Sequence, residues 1–250
     1  MTTERLEKGT LLLYGYSKPS QNSPETAVLL MKESPFMVAS DQAGMYAEQG
    51  QKEEAYRCYG FQKEPCQVRI YQRGQPFIGE IPLTIMELKM TEMSASATVK
   101  SFLTTQHFRD KQTLIFPTEQ AANAMYVFYP KPPPVISEDL VSEIQRTGFF
   151  VSLRVLPKKE LGKYLDPTHI DYPTPVTFEV LYKELLQVSD LIFPMSSLIT
   201  PFTEAYFKKG GAFIKQRMAP ENWANATYMP SSRDMLTEQW LLFCKWLEDV

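Results

Sequence analysis

Tyr126-Val-Phe-Tyr-Pro-Lys-Pro-Pro-Pro134, followed by Val135-Ile-Ser-Glu-Asp-Leu-Val-Ser-Glu-Ile-Gln-Arg-Thr-Gly148 and Phe149-Phe-Val-Ser-Leu-Arg-Val-Leu156, is the stretch that decides the fold. Tyr126 to Tyr129 is an apolar run of strand length. The prolines from Pro130 to Pro134 keep the next segment extended, because each ring fixes its own φ and restricts the residue before it. Ser137 then caps a helix with Glu138 and Asp139 in its first turn, where negative charge meets the positive end of the helix dipole. Leu140, Val141 and Ile144 form its apolar stripe, and Gly148 supplies a left-handed stop. In Phe149 to Leu156, Val151, Leu153 and Val155 alternate with Ser152 and Arg154, the period of a strand. Strand, covering helix and strand predict a right-handed parallel crossover.

Toward the amino terminus the pattern is that of short strands. Thr10 to Tyr16 ends at the turn cluster Lys18-Pro-Ser20. Thr26 to Met31 and Phe36 to Ala39 flank Lys32-Glu-Ser-Pro35 at hairpin spacing, and Ala55 to Phe61 and Gln67 to Tyr71 flank Gln62-Lys-Glu-Pro65. Gln72-Arg-Gly-Gln75 then leads to Pro76 to Ile81. Turn signals at intervals of about 8–12 residues point to antiparallel pairing. Polar and apolar residues alternate in Gln67 to Tyr71, so one face there is expected to be wet. Thr84 to Thr105 reads as helix-friendly, and Ser94-Ala-Ser-Ala-Thr98 marks a boundary.

Toward the carboxyl terminus, Thr113 to Phe116 reads as a strand and Pro117-Thr-Glu119 as the opening of a short helix over Gln120 to Ala124. Pro157 to Pro173 is loop-like. Thr174-Pro175 and Thr200-Pro201 each combine a cap with a proline at the first helical position. Phe178, Leu181, Leu185 and Val188 recur at helical spacing, and Leu191-Ile-Phe193 reads as a buried strand. Lys208-Lys209 before Gly210-Gly211 reads as a helix end. Ser231 and Asp234 have the spacing of a capping box, ahead of a helix carrying Leu236, Trp240, Phe243, Cys244 and Leu247 on one face. The expected fold is α+β. An antiparallel β-rich region spans residues 1–90, a helical linker or boundary 91–110, and a mixed or parallel α/β layer with a packed C-terminal helix 111–250. These form two domains or one continuous body.

Composition bounds the function. Hydrophobic residues are 44% and charged residues 22%, near the globular averages of roughly 45–50% and 25%, which excludes intrinsic disorder. The net charge is −3 and each half of the chain is nearly balanced, so strong non-specific nucleic-acid binding is not expected. The 11 glycines against 19 prolines disfavour glycine-rich phosphate cradles. Three cysteines are too few and too odd in number for a disulfide framework, and fit a reducing compartment. With a polar start and only short apolar runs, the chain is expected to be soluble, cytoplasmic and without a membrane partner.

There is no phosphate-binding G-x-x-x-x-G-K loop, dinucleotide fingerprint, serine elbow or H-E-x-x-H. Only His107 and His169 are available as imidazoles, so no metal and no cofactor is expected. No stretch resembles a known family. The sharpest catalytic candidate is Asp166-Pro-Thr-His169-Ile-Asp171, where carboxylates beside an imidazole could tune acid–base work. Lys208, Lys209, Lys215 and Arg217, near Phe213, form a candidate anion, nucleotide or nucleic-acid site. Trp240, Phe243 and Trp246 are candidate interface residues. The expected function is non-catalytic protein–protein contact, with a protein partner or self-association. This expectation rests on abundant aromatic and methionine side chains; the alternatives are an enzyme around His169 and a nucleotide- or nucleic-acid-contacting protein using Lys208 to Arg217.

Overall fold

A computed structural model describes residues 11–16, 27–33, 35–52, 56–58, 61–89, 98–108, 111–129, 149–192 and 202–249. Its strands are β1 (Leu12–Tyr16), β2 (Ala27–Lys32), β3 (Phe36–Ala39), β4 (Gly44–Glu48), β5 (Tyr56–Cys58), β6 (Phe61–Glu64) and β7 (Cys66–Gln72). They continue as β8 (Gln75–Pro76), β9 (Ile81–Lys89), β10 (Thr98–Phe108), β11 (Lys111–Leu114), β12 (Ala122–Tyr129) and β13 (Phe150–Leu156). The helices are α1 (Gly162–Leu165), α2 (Phe178–Leu181), which runs through a π-helical turn (Tyr182–Leu186) into α3 (Gln187–Ile192), α4 (Glu204–Met218) and α5 (Thr237–Glu248). The fold is α+β, with antiparallel sheets, a mixed sheet and a C-terminal helix. Among the described residues, no helix is long and apolar enough to cross a membrane.

Two compact units interleave along the chain. The first holds Met1–Ala43, Gln67–Leu114 and Met125–Val151; the second holds Gly44–Cys66, Ile115–Ala124 and Ser152–Val250.

In the first unit, β7 pairs antiparallel with β3 and β8, and β9 with β10. The expected alternation in β7 is present: Val68 and Ile70 are buried and Arg69 is exposed. Arg73 and Gly74, both at positive φ, make the two-residue turn between β7 and β8, the backbone that a tight hairpin requires. Other pairings differ from expectation. β2 pairs with β1 rather than β3, which pairs with β7, so β2 and β3 lie in different sheets and not in one hairpin. Thr84 to Lys89 and Thr98 to Thr105 are strand rather than helix, and the boundary expected at Ser94 to Ala97 lies outside the described residues. Ile81, Leu83 and Ile85 are buried at period two, and the long register with β10 outweighs the helix preference of Met, Leu and Glu. The helix expected over residues 137–148 lies outside the described residues.

In the second unit, β13 runs parallel to β4, and β4, β5 and β6 are antiparallel neighbours. Tyr56 and Phe116 lock together, the Phe116 amide donating to the Tyr56 hydroxyl at 2.6 Å. No helix follows: Glu119 and Gln120 form a bend, and β12 begins at Ala122, where a helix over Gln120 to Ala124 was expected. A core of Leu161, Leu181, Leu186, Phe207, Ile214, Trp223, Leu242, Phe243 and Trp246 gathers the helices. Most helix ends fall elsewhere than expected. Thr174 Oγ1 is committed to the Asp171 carbonyl, so Thr177 caps α2 by accepting from the Val180 amide at 3.3 Å. Leu191 and Ile192 are exposed helical residues of α3, not a buried strand. Thr200 and Pro201 lie outside the described residues, and Thr203 caps α4. That helix continues through Gly210 and Gly211 instead of stopping. A Cβ on Gly211 would sit 2.5 Å from Leu247 Cδ2, so this glycine permits close approach of α5. Asp234 is bonded by Ser232, and α5 starts later, its Gln239 side chain accepting from the Leu236 amide at 3.0 Å.

Candidate functional site

The three candidate acid–base residues do come together, on one open turn after α1. Asp166 Oδ1 accepts from the Thr168 amide at 2.8 Å and its hydroxyl at 2.7 Å. These bonds, amide first, hold the Asp166 carboxyl below the usual range. His169 Nδ1 accepts from the Asp171 amide at 3.1 Å, and Asp171 Oδ2 lies 3.9 Å away. With Nδ1 occupied as an acceptor, a neutral imidazole carries its proton on Nε2. Asp166, His169, Ile170 and Asp171 are all exposed, so the turn does not exclude water from the imidazole. α5 ties down the segment. Lys245 Nζ donates to the Tyr164 carbonyl at 2.6 Å and stands 4.5 Å from the Tyr172 ring centroid.

A polar hollow of about 560 Å³ lies where the carboxyl ends of parallel β4 and β13 meet the start of α5. Glu48 Oε1 accepts from Arg57 Nη1 at 3.0 Å, the Thr237 amide at 3.0 Å and the Thr237 hydroxyl at 2.6 Å. Arg57 Nη2 donates to Thr237 Oγ1 at 2.9 Å. The Gln49 amide bridges the Lys158 N–H and the Glu119 carbonyl. Helix starts attract anions, and here Glu48 supplies one from within the chain. Nearby, burial pushes the Tyr228 hydroxyl up to about 12, with the charges of Arg57 and Glu48 acting in opposite directions. This network was missed from the sequence, because Glu48 and Thr237 are 189 positions apart.

The candidate anion residues lie on α4, where Lys208 Nζ stands 2.9 Å from Glu204 Oε1 and Lys215 Nζ 4.0 Å from Glu248 Oε1. Lys209 is exposed and Arg217 covers the Phe213 ring. The candidate interface rings need correction. Phe243 and Trp246 are fully enclosed in the second unit's own core, and the partly buried Trp240 donates its indole N–H to the Lys215 carbonyl.

An exposed apolar surface lies elsewhere, on the β1–β2 ribbon. Opposed residues of an antiparallel pair share a face, so Tyr14 with Leu29 and Tyr16 with Ala27 define one side, which Leu12 joins by alternation. Gly15 with Val28 defines the other, together with Leu13 and with Leu30, which folds over Gly15. Leu12, Leu13, Tyr14, Tyr16, Val28, Leu29 and Leu30 are all between 44% and 66% exposed. A ribbon packed on one side would bury every second residue; this one is open on both. No family model, curated protein or solved structure matches the chain.

Proposed function

We propose that the chain is a non-catalytic assembly protein that acts by protein–protein contact through the β1–β2 ribbon. The observation that carries this reading is the ribbon's exposure on both faces. An isolated two-stranded hairpin is marginal in water, and apolar patches beyond a few hundred Å² mark interaction surfaces. Half of a tyrosine side chain is ~100 Å² and half of a leucine or valine is less, so Leu11 and the seven residues above expose roughly 600 Å², approaching one partner's share of about 800 Å² in a standard interface. Neither face alone reaches that area, so the partner encloses the ribbon on both sides. Cys58, Cys66 and Cys244, none of them in a disulfide, fit a reducing, cytoplasmic setting for this role.

A second copy of the chain is the partner to test first. Sedimentation velocity over rising concentration should show a larger species that Leu13→Lys with Leu30→Lys dissolves. Both positions are exposed, so the substituted chain should keep its fold. Monomers at every concentration, together with apolar-dye binding unchanged by the substitutions, would remove the ribbon as a contact surface.

A further inference from the structure

The continuity of α4 through Gly210 and Gly211 sorts its side chains onto distinct flanks. At about 100° per residue, Phe207, Gly211, Ile214 and Met218 form the buried face. Glu204, Lys208 and Lys215 share one flank, where each lysine has a carboxylate partner. Tyr206, Phe213 and Arg217 share the opposite flank, with Lys209 one step further round. Phe213 is 58% exposed and the Arg217 guanidinium carbon lies 4.5 Å from its ring centroid. Tyr206 and Lys209 are exposed as well. Glu204 is the helix's only acidic residue, and it belongs to the neutralised flank.

We propose that the Tyr206–Lys209–Phe213–Arg217 flank binds a single-stranded nucleic acid. Bases stack on the Tyr206 ring and on the part of the Phe213 ring that Arg217 leaves exposed, and phosphates meet Lys209 and Arg217 by charge-assisted hydrogen bonds. Cations alone would suit any acidic segment. The rings favour a strand, because every base offers a π-face and an acidic peptide offers none. The proposal does not depend on the ribbon's role. A chain of net charge −3 gives no long-range attraction, so binding is weak, with Kd ~10⁻⁴–10⁻⁶ M. Two neutralised phosphates, one for each cation, give a loss of roughly 7-fold between ~50 and ~200 mM salt.

Fluorescence anisotropy of a labelled oligothymidine tests this with the full chain. Lys209→Gln should weaken binding several-fold and Phe213→Ala about 5-fold or more, while Lys208→Gln, on the neutralised flank, should change it little. Lys209 and Phe213 are exposed, so far-UV circular dichroism should show both variants folded. Three results would overturn the proposal. One is no binding at low salt with ~10⁻⁴ M protein; another is equal losses for Lys208→Gln and Lys209→Gln. The third is displacement by oligoglutamate with Phe213→Ala silent, which would mark an acidic-peptide site instead.

Discussion

Gly210 and Gly211 give opposite expectations for the same substitution. In an uninterrupted helix, alanine for glycine gains about 1 kcal/mol through backbone entropy. At Gly210 the added Cβ meets only the tip of Ile214, 3.2 Å away, and Gly210→Ala should stabilise by up to ~1 kcal/mol. At Gly211 it would lie 2.5 Å from Leu247 Cδ2 and 3.3 Å from Cδ1, where carbons prefer ~3.5–4.0 Å. Leu247 must then withdraw by ~1 Å, or α5 must shift. Overpacking of this kind costs ~1–3 kcal/mol, so Gly211→Ala should destabilise by ~0–2 kcal/mol after the helix gain. Urea unfolding followed by tryptophan fluorescence isolates the second unit, since Trp223, Trp240 and Trp246 all belong to it. A difference of ~1 kcal/mol corresponds to ~2–4 °C in Tm at this chain length. Equal destabilisation by both variants would refute the reasoning, because two glycines at a left-handed helix end would behave that way. Gly211→Ala more stable than Gly210→Ala would refute the close contact with α5.

Glu48→Ala leaves Arg57 without its carboxylate and α5 without its anion, and should cost about 2–3 kcal/mol in denaturant unfolding. Combined with Arg57→Ala, the total should fall short of the sum; strict additivity would mean the pair does not interact. The Asp166 carboxyl is held low in the folded chain, so its contribution to stability is present above the ordinary aspartate pKa. That contribution is lost as pH falls through the lowered value. Thr168→Val, which removes the hydroxyl bond and keeps the larger amide one, should raise the Asp166 pKa part of the way toward that of a free aspartate in an NMR titration, and no change would discount the hydroxyl bond. Burial pushes the Cys58 thiol up to about 12, so brief alkylation at neutral pH should spare it until urea is added. Rapid labelling of native Cys58 would contradict its burial.

Where a local pattern was also the tertiary one, the sequence was readable. Gln67 to Tyr71 alternates because β7 buries one face, and Arg73-Gly74 turns because both residues sit at positive φ. The C-terminal helix was visible because its stripe is long. Helix ends were misplaced for a shared reason. Thr174 and Asp234 are good caps by type, but their side chains are used by Asp171 and Ser232. Capping then passed to Thr177 and Gln239. Gly210-Gly211 looked like a stop because only the position of Leu247 reveals what the missing side chain is for.

The same limit explains why the candidate interface was placed on α5 rather than on the ribbon proposed above. An apolar stripe requires that something cover it, and periodicity does not name the cover. α5 and the β1–β2 ribbon both present rows of large apolar residues, and both satisfy the same rule in the sequence. On α5, Phe243 and Trp246 are covered by Phe178, Phe207 and their neighbours, so its rings are spent on cohesion. On the ribbon, Leu13 and Leu30 on one face and Tyr14 and Leu29 on the other have no such cover, and each remains about half exposed. Hydrophobic burial acts without direction. On the reading proposed above, the docking element is therefore not the one with the richest stripe but the one whose stripe the described residues leave bare.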